Sequence, residues 1–89
     1  MKKSLRVIVN PQEHWSNVAA SVLLGRKIVA VRYLDQEEAD RLGWYGRSVV
    51  IHLDNGHLVW ASRDDEGNDA GALFTTDPKA DTLPVLGAA

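Results

Sequence analysis

Cysteine is absent from the 89 residues. That excludes a disulfide scaffold, thiol catalysis and a thiolate metal site, and it agrees with a reducing compartment. No apolar run approaches the ~20 residues that cross a bilayer, and Met1–Asn10 lacks the apolar segment of a secretion signal. The expected location is therefore the cytoplasm. A glycine-rich phosphate loop is missing, as is the glycine-flanked turn that exposes a serine nucleophile, since Ser48 and Ser62 fall inside strand-like runs. A concentrated basic surface is missing too: Lys2, Lys3, Arg6, Arg26, Lys27 and Arg32 are scattered, which argues against nucleic acid.

What remains is ordinary for a folded domain. Apolar residues at 45% and charged residues at 25% argue against disorder. A chain this short makes one domain with a small core, burying roughly 60–65% of its unfolded surface. The expected domain spans residues 1–76, with 77–89 as a partly mobile tail from which Leu83, Val85 and Leu86 could clip onto the body. The net charge of −2 hides an asymmetry. Met1–Leu34 holds six Lys/Arg against one acid, and Asp35–Ala89 holds four against eleven. Opposite halves can complement each other within one fold or between copies.

Along the chain, Leu5–Val9 has the composition of a short strand. Asn10, Pro11 and Glu13 then form a helix entry, and Trp15, Val18, Ala19, Val22 and Leu23 recur as one apolar stripe that ends before Gly25. Arg26–Leu34 alternates with apolar residues on both faces, which predicts a central strand. Asp35 and Glu38 form a capping box for a short helix through Arg41, with Leu34 and Ala39 as its staple and Gly43 as its stop. Glu37 and Arg41 sit one turn apart on it.

A hairpin follows. Asn55-Gly56 fits a two-residue loop, which pairs Asp54 with His57, Leu53 with Leu58, Ile51 with Trp60, Val49 with Ser62 and Arg47 with Asp64. The Val49, Ile51, Leu53, Leu58 and Trp60 face is then the core face, and His52, Asp54 and His57 share the other. Two imidazoles and a carboxylate can bind zinc, but no fourth ligand accompanies them. After the hairpin come the acidic loop Arg63–Gly71 and a third strand at Ala72–Thr75. The fold class is α+β: a small antiparallel sheet with one N-terminal amphipathic helix and one short helix. The sheet is either open or curled into a small Src-homology-type barrel, with the balance leaning to the barrel.

Two loops are the least generic parts of the chain. Gly43-Trp44-Tyr45-Gly46 holds an aromatic pair between flexible joints, suited either to a recognition platform or to plugging the end of the core. Four acids and an amide crowd residues 64–69, enough oxygens for a hard cation although not at calcium-loop spacing. The function these loops favour is a non-catalytic binding or protein-interaction module working through Trp44, Tyr45, Arg47, Arg63, Asp65 and Glu66. Its partner would be another protein or a second copy. The first alternative is a divalent-cation site at Asp64, Asp65, Asn68 and Asp69, with that cation as the only cofactor. The second is a small enzyme with an Asp, Glu or His general base.

The run Leu24-Gly25-Arg26-Lys27-Ile28 through Val31-Arg32-Tyr33, with Gly43-Trp44, Asp54-Asn55-Gly56 and Asp64–Phe74, resembles a family of short uncharacterised bacterial single-domain proteins. The likeness covers roughly Leu23–Thr75, and Asp-Asp-Glu-Gly-Asn-Asp-Ala-Gly-Ala-Leu-Phe is its specific part. It implies a free-standing bacterial domain and carries no functional residues with it.

Overall fold

The computed structural model describes residues 10–62 and 70–87. Within them the chain forms α1 (Pro11–Leu23), β1 (Ile28–Tyr33), α2 (Gln36–Leu42), β2 (Val49–Leu53), β3 (Leu58–Ala61), β4 (Leu73–Thr75) and β5 (Thr82–Leu83). The five strands make one antiparallel sheet in sequence order. The α+β class is as expected. The sheet is open over these residues, with β1 and β5 at its edges, where the sequence leaned to a barrel. The strand expected at Leu5–Val9 lies outside the described residues.

Both helices start as their sequences dictate. The Asn10 side chain accepts the Gln12 and Glu13 N–H groups at 2.9 and 3.3 Å, and Pro11 occupies the first turn. Of the α1 stripe, Val22 is buried and Trp15, Val18, Ala19 and Leu23 are half-buried. The helix lies against β5, whose Leu83 is also buried. In α2 the capping box is complete: Glu38 N–H donates to Asp35 Oδ1, and Asp35 N–H donates to Glu38 Oε1, both at 2.8 Å. The staple residues Leu34 and Ala39 are buried beneath it, and Gly43 ends the helix in the left-handed region.

The hairpin departs from expectation by one residue. Val50 faces Trp60, Ile51 faces Val59 and His52 faces Leu58, whereas a two-residue loop sets Ile51 opposite Trp60. Leu53 N–H donates to His57 O at 2.9 Å and Gly56 N–H to Leu53 O at 3.0 Å, so Asp54-Asn55-Gly56 is a three-residue loop. Asn55 Oδ1 accepts the His57 N–H, and Gly56 takes a φ of 88°. A turn followed by a left-handed glycine satisfies the Asn-Gly pair as well as a two-residue loop does. Slipping by one residue exchanges the faces. Leu58 and Trp60 therefore join Val50 and His52, while Ile51 and Leu53 join Val59.

One sheet face, built from Arg32, Val50, Trp60 and Phe74, carries Trp44, whose ring stacks on Phe74, and is tied to α2 through Arg32 and Glu38. The opposite face is graded. Val59, Thr75 and Leu83 are buried toward α1, but Val31, Tyr33 and Val49 lie exposed toward β1. β1 is thus an edge strand among the described residues, not a central one. Two apolar faces mark a strand that is covered on both sides only when something covers it. At the other edge, Thr82–Leu83 pairs with β4, while Val85 and Leu86 remain exposed.

Candidate functional site

The end of the sheet where β1 finishes and β2 begins opens into a groove of about 710 Å³. The corner Gly43–Gly46 forms one wall, Arg47, Ser48 and Val49 the floor, and Tyr33, Ala61 and Ser62 the remainder. Gly43 at φ 76° swings the chain out of α2, and the next two aromatics then point to different fates. Trp44 turns inward, its ring centroid 6.1 Å from that of Phe74 at 28°, with Trp60 meeting the same Phe74 edge-on. Tyr45 turns outward and is fully exposed.

Three of the residues singled out from the sequence, Trp44, Tyr45 and Arg47, therefore meet in one groove. Arg63, Asp64, Asp65, Glu66, Asn68 and Asp69 lie outside the described residues. Tyr33 and Ser48 were not anticipated. Tyr33 reaches the groove because β1 is an edge. Ser48 Oγ is buried and has no hydrogen-bond partner among the described residues. A buried hydroxyl without a partner is costly, so it favours any ligand that offers one.

The histidines separate. With the hairpin slipped, His52 lies on the α2 side of the sheet and accepts a hydrogen bond at Nε2 from Arg32 Nε at 3.0 Å. His57 stands opposite Leu53 on the other face, its Nε2 3.9 Å from Oδ2 of the buried Asp77. Asp54 pairs with Arg26 at 3.6 Å. The expectation that His52, His57 and Asp54 share a face is thus corrected, and no cluster of three or more His, Asp or Glu side chains suited to a metal occurs among the described residues.

The strongest electrostatic feature is Arg32 with Glu38. Two parallel hydrogen bonds, Nη1 to Oε1 at 2.8 Å and Nη2 to Oε2 at 3.0 Å, join β1 to α2. The Arg32 guanidinium, helped by the Asp35 N–H, lowers the Glu38 carboxyl to about 2, and the same contact raises the Arg32 value. The sequence did not point to this pair: Arg32 and Glu38 come together across the turn Leu34-Asp35 that joins β1 to α2.

No family model, curated protein or solved structure matches the chain. No helix among the described residues is long and apolar enough to cross a membrane.

Proposed function

We propose that the protein is a non-catalytic interaction module that receives a short segment of a partner in the groove beside Tyr45. The observation that carries this reading is Tyr45 itself, a fully exposed ring on a corner held by an inward-stacked Trp44. A fully exposed ring is free to be covered by a partner, and aromatic rings with a polar tip are favoured contacts at interfaces. Tyr33 and Val49 continue the apolar surface, while Arg47 supplies a charged, polar contact.

The test is selection of a displayed library of twelve-residue peptides on the immobilised protein, followed by amide resonance mapping of the winners. Shifts grouped at Tyr33, Gly43–Val49 and Ala61–Ser62, and lost in Tyr45→Ala, are expected. Failure to select any peptide, or winners that bind Tyr45→Ala equally well, would overturn the reading.

A further inference from the structure

We propose that two copies of this chain pair through the open edge of β1, antiparallel and two-fold, centred on Val31. The edge adjoins the groove at Tyr33, but the inference does not depend on anything binding there.

The backbone comes first. Leu34 N–H donates to Ser48 O at 2.9 Å, so Leu34 and, by alternation, Arg32 and Ala30 turn their hydrogen-bonding groups toward β2. The N–H and C=O groups of Val31 and the N–H of Tyr33 then face away from it, while the Tyr33 C=O accepts Arg32 Nη1 at 3.0 Å. No strand lies beyond them among the described residues. Such a row of free groups is a template for a further strand.

Side chains leave the template unguarded. Ile28, Val29, Val31 and Tyr33 are each 61–62% exposed. Edge strands are normally blunted by lysine, proline or a bulge. A bulge does occur here, but it lies between Ile28 and Ala30 and leaves the stretch through Tyr33 regular. The one charge in the strand, Arg32, is matched by Glu38, and its Nη1 also donates to the Tyr33 C=O. It therefore does not repel an incoming copy.

Charge then selects the partner and the direction. Arg26 and Lys27 precede β1, and Asp35 follows it with Glu37 and Asp40 on α2. Two antiparallel copies centred on Val31 bring the cationic end of each strand against the acidic end of the other. Parallel pairing would set cation against cation and acid against acid. An isologous interface needs a self-complementary surface, and this strand is one.

The absence of native cysteine gives a clean test. Directly opposed residues in a hydrogen-bonded antiparallel pair sit with Cα atoms ~5.5 Å apart, within disulfide reach. Val31→Cys is expected to form a disulfide-linked dimer under mild oxidation, while Leu24→Cys, on an exposed residue outside the strand, forms no covalent dimer under the same conditions. The unmodified chain should show a dimer by sedimentation over a concentration series. Val31→Lys, at an exposed position, should keep its circular dichroism and weaken dimerisation roughly tenfold or more. Tyr45→Ala should leave the dimer intact, which separates this proposal from the groove. Three outcomes would overturn it. One is a monomer whose Val31 and Tyr33 amides exchange slowly, since the edge would then be covered within a single chain. Another is a monomer whose amides exchange fast. The third is a dimer indifferent to Val31→Lys.

Discussion

Glu38 Oε1 accepts two hydrogen bonds at once, from Arg32 Nη1 and from the Asp35 N–H, each at 2.8 Å. A single carboxylate thus closes the capping box of α2 and ties that helix to β1. The carboxyl sits near 2 against an ordinary 4.5, so its contribution is fully present above about 4.5 and is lost as pH falls toward 2. Glu38→Gln is expected to lower the melting temperature at pH 7. The gap from the parent should narrow between pH 4.5 and 2, and a gap constant across that window would contradict the assignment.

Gly56 at φ 88° sets the register of the hairpin. Nothing lies within 4 Å of the place a Cβ would occupy, so the cost of adding one is backbone strain alone. Gly56→Ala should cost about 1–2 kcal/mol, and Gly56→Asn less, read from urea midpoints.

Val22 and Leu24 stand two residues apart at the end of α1, at 1% and 79% exposure. Val22→Ala should destabilise by about 2 kcal/mol through lost burial and the space left behind. Leu24→Ala should stay within about 0.5 kcal/mol. Equal effects in thermal melts would mean that α1 does not dock as described.

Trp44 and Tyr45 should divide stability from recognition. Trp44→Ala removes the ring stacked on Phe74 and should cost about 2–3 kcal/mol. Tyr45→Ala removes an exposed ring and should change stability by less than about 0.5 kcal/mol. Chemical denaturation of both variants checks the division.

The elements most legible in the sequence are those written locally. Asn10-Pro11 and the Asp35/Glu38 box each specify a helix start within four residues, and both form as read. Asn55-Gly56 locates the hairpin but not its register, because two- and three-residue loops both accept that pair. The face assignments of Trp60 and His57 failed with it. β5 consists of Thr82 and Leu83 alone, too short for any periodicity, and it becomes a strand only by pairing with Leu73 and Phe74. The pattern of β1 is apolar on both faces, but a central strand and an exposed edge share that pattern. For the groove, Trp44, Tyr45 and Arg47 were visible as an unusual loop. Tyr33 and Ser48 join them only through strand pairing, which no local signal records.

The docking of α1 on β5 has a consequence for how the molecule is made. Ser21 O at one end accepts Lys79 Nζ at 3.2 Å, across 58 positions of chain. α1 precedes every described strand of the sheet, yet it rests on the last of them in chain order. Contacts this distant close slowly, after the local hairpins. The apolar stripe of α1 therefore stays uncovered during synthesis until Leu83 has been made and β5 has paired.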